Sequence, residues 1–166
     1  MGAAVSEAIR LRDLTLGYDG HPAVHHLDGA FATGSLAAII GPNGSGKSTL
    51  LKGIMGTLTP LGGAIERHAA IAYLPQSAEI DKSFPATVAE LIGLGLWTRR
   101  GLFGGLTSED RGQLAAALSA VGLEGFARRP IDTLSGGQMQ RALFARVLVQ
   151  DAPLVLLDET FSAIDE

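Results

Sequence analysis

Apolar residues recur along the 166-residue chain at two spacings, and the switches between them lay out an α/β order. Ile9 to Leu16 alternates apolar and polar side chains, with one change of phase near Asp13, and predicts a half-buried strand. Tyr18 stands at its end, before an Asp19-Gly20 turn, and Val24 to Phe31 predicts a second strand. Leu36 to Ile40 is apolar throughout, the pattern of a strand buried on both faces. Beyond a short stretch of turn residues, Leu50, Leu51, Ile54 and Met55 recur at helical spacing until Gly56 and Pro60-Leu61-Gly62-Gly63 end the element. Ala64–Ile65 and Ala69–Leu74 predict short strands, the second running into Pro75-Gln76.

The second half reads as helical until its last strand. Phe84 to Trp97 is largely apolar, with Val88, Leu91, Ile92 and Leu96 at helical spacing from about Thr87. Thr98 to Gly112 is a loop rich in Gly and Arg that contains the start of the next helix, where Thr107 and Asp110 form an imperfect capping box. Leu114, Leu118 and Val121 supply that helix's core-facing stripe, and Gly122 and Gly125 close it. Ser135 is placed to cap a further helix that runs to about Gln150. Pro153 then precedes Leu154-Val155-Leu156-Leu157, a buried strand that delivers Asp158 and Glu159 at its carboxyl end.

Composition narrows the class. With 46% hydrophobic and 18% charged residues the chain builds one substantial core. A net charge of −4 gives no electrostatic case for a nucleic-acid partner. The absence of cysteine excludes a disulfide framework and thiolate metal sites. No apolar run approaches the ~18 residues a membrane span needs, so a place on the cytoplasmic side is expected.

The chemistry concentrates between the third strand and the first helix. Gly41-Pro42-Asn43-Gly44-Ser45-Gly46-Lys47-Ser48 fits the G-x-x-x-x-G-K-[ST] phosphate loop, and Thr49 follows it into the helix. Gly41 and Gly46 allow the backbone to wrap an anion, and successive N–H groups converge there with the positive end of the helix. Lys47 can meet the β- and γ-phosphates, and the Ser48 hydroxyl can ligate Mg²⁺. The flanking strand and helix separate this from an ordinary glycine turn and imply a nucleoside-triphosphate site. Tyr18 serves equally as core packing or as a platform for a purine. Gln76 stands at a strand's carboxyl end, where open α/β sheets bind ligands. Ser135-Gly136-Gly137-Gln138 is either a plain capped helix start or a second anion site. His21, His25 and His26 have no acidic partner at a spacing that completes a metal shell, and read as solvated or packing residues.

With the phosphate loop, Leu134-Ser135-Gly136-Gly137-Gln138 and Leu154 to Glu159 in this order, the sequence resembles the ATP-binding subunit of ABC transporters over nearly its whole length. The resemblance implies a P-loop core with a parallel sheet, an antiparallel N-terminal β layer and a helical subdomain. Residues 1–78 and 130–166 would form the core and β layer, and 79–129 the helical subdomain, all within one ABC ATPase domain. It implies ATP and Mg²⁺ as ligands. Tyr18 would stack on adenine, and Gln76 would sense Mg²⁺ and the attacking water. Ser135, Gly136, Gly137 and Gln138 would face the γ-phosphate held by a second copy in a head-to-tail homodimer. Asp158 would hold Mg²⁺ through water, Glu159 would be the general base, and 162–165 would be the D-loop.

The family pattern is departed from twice. Thr160 replaces the usual proline after the glutamate, and all histidines precede residue 69, so the switch histidine is missing. On the resemblance, the family's carboxyl-terminal strands and helices are missing after Glu166. Ala72–Gln76 through Asp81–Pro85, and Phe144–Ala152, look like the ATPases of bacterial zinc and manganese importers. These work at the inner face of the cell membrane with permease subunits and, indirectly, an external solute-binding protein. The alternatives are the ATPase of an iron-chelate, heme or cobalamin importer, and a nucleotide-binding fragment without turnover. DNA-repair and translation ATPases of the family usually carry coiled-coil insertions or duplicated cassettes, and neither is seen in this sequence.

Overall fold

Asp19 and Gly20 both take positive φ (50° and 78°), the geometry a two-residue hairpin turn needs to match the twist of its strands. They join β1 (Glu7–Tyr18) to β2 (His21–Ala32) in an antiparallel pair. Halfway along, Asp13 and His26 both swing to φ 45°, facing irregularities that shift the register. His26 Nδ1 lies 2.7 Å from Asp13 Oδ1, and the Asp13 N–H donates to Asp28 Oδ1 at 2.9 Å. The kink explains the change of phase read from sequence. Ile9 and Leu11 before it and Leu14 and Leu16 after it are all buried, although they differ in parity. An acid does therefore meet a histidine, but from across the hairpin, where spacing along the sequence does not reveal it. Among the described residues, no group of three or more His, Asp or Glu side chains could hold a metal ion.

The computed structural model describes residues 6–74, 81, 83–97 and 105–158. Beyond the hairpin come α1 (Lys47–Met55), β3 (Gly62–Arg67), β4 (Ile71–Leu74), α2 (Val88–Gly93) and a 3₁₀ turn at Leu94–Leu96. These are followed by α3 (Ser108–Ala120), a 3₁₀ turn at Ile131–Thr133, α4 (Gly136–Gln150) and β5 (Leu154–Leu157). The strands form two sheets, β2-β1-β3 and β4-β5. The chain divides into two compact units, 1–71 and 72–166.

In the first unit α1 lies on the three-stranded sheet and buries Leu50, Leu51 and Ile54. Each such side chain contributes about 2 kcal/mol relative to exposure. In the second unit one core joins Ala72 and Leu74 of β4, Val88, Leu91 and Ile92 of α2, Leu114 and Leu118 of α3, and Met139, Ala142 and Leu143 of α4. The α3 stripe is thus core, as its spacing predicts. Capping boxes start α2 (Thr87 with Glu90) and α3 (Thr107 with Asp110). The Thr87 backbone N–H and hydroxyl, both donating to Glu90, hold its carboxyl below the usual carboxylate range. A Cβ at Gly95 would lie 2.4 Å from the Arg146 carbonyl oxygen, so the 3₁₀ turn packs directly on the backbone of α4.

Two expectations fail. Leu36–Ile40 belongs to neither sheet and is not a strand, and Ile40 is 92% exposed rather than buried. A parallel strand takes its form from ladder partners remote in sequence, and an apolar run without them has no regular structure to adopt. β5 does form, but Val155 and Leu157 are exposed while Leu154 and Leu156 are half-buried. Its ladder partner among the described residues is β4, and Val155 and Leu157, two apart, share the face left exposed.

Candidate nucleotide site

Lys47 opens α1, and the turn before it is the candidate phosphate loop. The N-cap is Gly46, left-handed at φ 88°, ψ 7°, with no side-chain cap bond. Only glycine suits this position, because a Cβ would be strained by the φ and would lie 2.7 Å from the Ala23 carbonyl oxygen of β2. The Asn43-Gly44 turn and a Ser45 N–H bond to the Pro42 carbonyl (3.2 Å) fold the loop back before the helix. The Lys47 ammonium donates to the Gly41 and Pro42 carbonyls, each at 2.9 Å, and so curls over the loop it follows. Residues 41–45 are exposed, Gly46 to Ser48 are half-buried and Thr49 is buried. Residues 41–47 thus form a glycine-capped turn with the Lys47 side chain folded back on it. Tyr18 ends β1 in the same unit, paired with His21 and 48% exposed, which excludes the core-packing role.

The second unit holds the remaining described candidates. Ser135 is the N-cap of α4. Its hydroxyl accepts from the Gln138 N–H at 3.2 Å, and Gln138 Oε1 accepts from the Ser135 N–H at 3.0 Å. Gly136 and Gly137 are exposed, and a Cβ on either would meet open space. Packing therefore does not require glycine there, whereas close approach of another molecule to the helix start would. Replacing Ser135 with alanine should cost about 1 kcal/mol, which lowers the melting temperature by about 3 °C. A melt by circular dichroism reads this, and an unchanged midpoint would show that the cap is not stabilising.

Asp158 follows β5 and is buried. Its N–H donates to the Leu74 carbonyl (3.3 Å), so the carboxyl ends of β4 and β5 lie side by side. The Tyr73 hydroxyl donates to Asp158 Oδ2 at 3.3 Å. Sequence reading missed Tyr73 as a partner of this carboxylate. The available signal was its place beside Leu74 in a strand whose end meets Asp158. Gln76, Glu159, Thr160 and the D-loop candidates at 162–165 lie outside the described residues.

The family model for "ABC transporter" matches residues 24–162. A metal transport system ATP-binding protein of Chlamydia pneumoniae, qualified in its name as probable, is 43% identical over 93% of this chain and 63% of its own length. The zinc transport system ATP-binding protein TroB of Treponema pallidum is 38% identical, over 98% of this chain and 64% of its own. The manganese transport system ATP-binding protein MntB of Listeria monocytogenes is 38% identical, over 95% and 69%. Among solved structures, one described as an inward-facing conformation of a metal-chelate type ABC transporter, an assignment its description qualifies, superposes with a TM-score of 0.85 at 32% identity, over 96% of this chain and 62% of that one. The mixed α/β fold, with its antiparallel N-terminal sheet, is that of ABC ATPases. The chain spans just under two thirds of the length of the first relatives it matches. From the phosphate loop to the strand that ends in Asp158, this chain belongs to the ABC transporter family, among its ATP-binding subunits.

Proposed function

We propose that this chain binds and hydrolyses ATP to energise import of a divalent metal ion, zinc or manganese, through membrane permease subunits. The carrying observation is the glycine-capped turn at residues 41–47 with the Lys47 ammonium folded onto the Gly41 and Pro42 carbonyls. The metal reading is supported by the relatives named for metal, zinc and manganese transport.

On this reading the residues divide the work by chemistry. The N–H groups of Gly44, Ser45, Gly46, Lys47, Ser48 and Thr49 cradle the phosphates, and Gly41, Pro42 and Asn43 shape the turn. Lys47 exchanges the Gly41 and Pro42 carbonyls for phosphate oxygens. Tyr18 stacks on the purine. Ser48, Asp158 and Gln76 are an all-oxygen donor set, which suits Mg²⁺, and they would hold it directly or through water. When bound, Mg²⁺ supplies charge neutralisation at the β- and γ-phosphates. Glu159 accepts the proton of the attacking water, which Gln76 orients. Ser135, Gly136, Gly137 and Gln138 meet the γ-phosphate of a second copy, so closing two copies head to tail completes two sites. The segment 79–129 is the helical subdomain, and 1–78 with 130–166 the core and β layer. The protein works at the inner face of the membrane with its permease and an external solute-binding protein.

A second reading, import of a metal chelate, is favoured by the structural likeness to a metal-chelate type transporter. Growth separates the two. Deletion of the gene should impair growth under zinc or manganese chelation, with rescue by one of those ions. Rescue only by a ferric siderophore, heme or cobalamin would select the second reading.

A further inference from the structure

We infer that Arg67 is a positioning residue for the phosphate loop, acting through the far end of α1; this rests on the reading of residues 41–49 as the ATP site. The helix has nine residues, Lys47–Met55, and begins without a side-chain cap bond, so beyond the close fit of Gly46 on Ala23 of β2 its direction rests on contacts further along. Two contacts set it. Gly53 lies against β1 so closely that a Cβ would fall 2.4 Å from Leu16 Cδ1. At the carboxyl end, the N–H groups of Gly56, Thr57 and Leu58 and the Thr57 hydroxyl converge on the Lys52 carbonyl at 3.1, 3.1, 3.2 and 3.1 Å. The next two carbonyls both accept from one guanidinium, the first of them shared with the Gly56 N–H at 3.0 Å. Arg67 Nη2 donates to Gly53 O and Nε to Ile54 O, each at 2.6 Å.

Arg67 is well placed for this because its own backbone is anchored. It ends β3 and pairs with Ile9 of β1, whose side chain is buried. The guanidinium thus ties the negative end of α1 to the sheet through a planar two-pronged contact that a lysine point charge reproduces only in part. A nine-residue helix is a rigid rod roughly 13 Å long. A tilt at Gly53 and Ile54 therefore displaces the N–H groups at Lys47 to Thr49. Lys52, in the last turn, adds a second cation at the same end.

The test compares four substitutions in the whole chain by calorimetric titration with Mg-ATP at 20 °C, alongside thermal melts. Arg67→Met should weaken ATP affinity about tenfold, and Arg67→Lys should recover it to within about threefold of the parent. Arg67→Gln keeps a donor without the charge and carries the same test if the Met variant does not fold. Where turnover is measured, KM for ATP should rise while kcat holds. A merely structural role predicts the contrary: a lower melting temperature with unchanged affinity in the folded variants, which would overturn the inference. Lys47→Ala is the parallel control. If it alone loses ATP, Arg67 does not position the loop; if it binds ATP like the parent, the ATP-site reading falls and takes the Arg67 proposal with it.

Discussion

Lys47→Ala should bind Mg-ATP at least about 100-fold more weakly than the parent chain, because hydrogen bonds to charged groups are worth about 1.5–3 kcal/mol each and 1.4 kcal/mol is tenfold. The loss is that of the cation opposite the β- and γ-phosphates of ATP, net of the two 2.9 Å bonds to the Gly41 and Pro42 carbonyls that the ammonium gives up when it turns to them. Lys47→Arg should also bind poorly: the charge is kept, but a broad planar fork replaces a compact point charge. Calorimetric titration gives both affinities directly. Parent-like ATP affinity in Lys47→Ala would remove residues 41–49 from any nucleotide site.

Glu159→Gln addresses chemistry rather than binding. Glutamine keeps the size and one hydrogen-bonding oxygen but cannot take a proton from water. Turnover should therefore fall by ~100- to 10,000-fold, the contribution general-base catalysis typically makes, while ATP affinity stays within about threefold. The experiment is steady-state phosphate release beside ATP titration, in a chain extended to the length of its relatives. The same variant should accumulate as an ATP-trapped dimer on size-exclusion chromatography. Asp158→Asn should behave differently and lose Mg²⁺ dependence. Glu159→Gln turning over at the parent rate would mean that the base is another residue.

How legible these features were in the sequence follows the range of the forces behind them. The β1–β2 hairpin, α1, α3 and α4 all read correctly, since turn chemistry, helical spacing and caps act within a few residues. Even the kink at Asp13 left a trace, as a change in the parity of buried positions. Leu36–Ile40 misled because an apolar run encodes a wish for cover, and the ladder that would make it a strand comes from elsewhere in the chain. β5 misled more mildly: four apolar residues imply two covered faces, and one is covered. In the candidate site, Gly46, Lys47 and Ser135 were legible because a loop or a cap needs those residue types at that spacing. The Tyr73 hydroxyl on Asp158 and the Arg67 fork on α1 were not. Each joins residues far apart in sequence through side chains whose types fit many other roles.

The route of the chain through the three-stranded sheet also sets an order of assembly. β2 follows β1 after two turn residues, so the hairpin closes at small entropic cost and on the microsecond scale of isolated hairpins. β3 joins β1 only after the excursion through residues 33–61, and α1 with its glycine-capped turn lies inside that excursion. The glycine-capped turn is therefore expected to take its final shape late, when β3 docks and brings Arg67 to the end of α1. A nucleotide that recognises only the shaped turn draws this last step toward completion, by about 2.7 kcal/mol at a hundredfold excess over its Kd. On the proposed reading, ATP would act on this segment as a folding ligand, and resistance to proteolysis would depend on nucleotide supply.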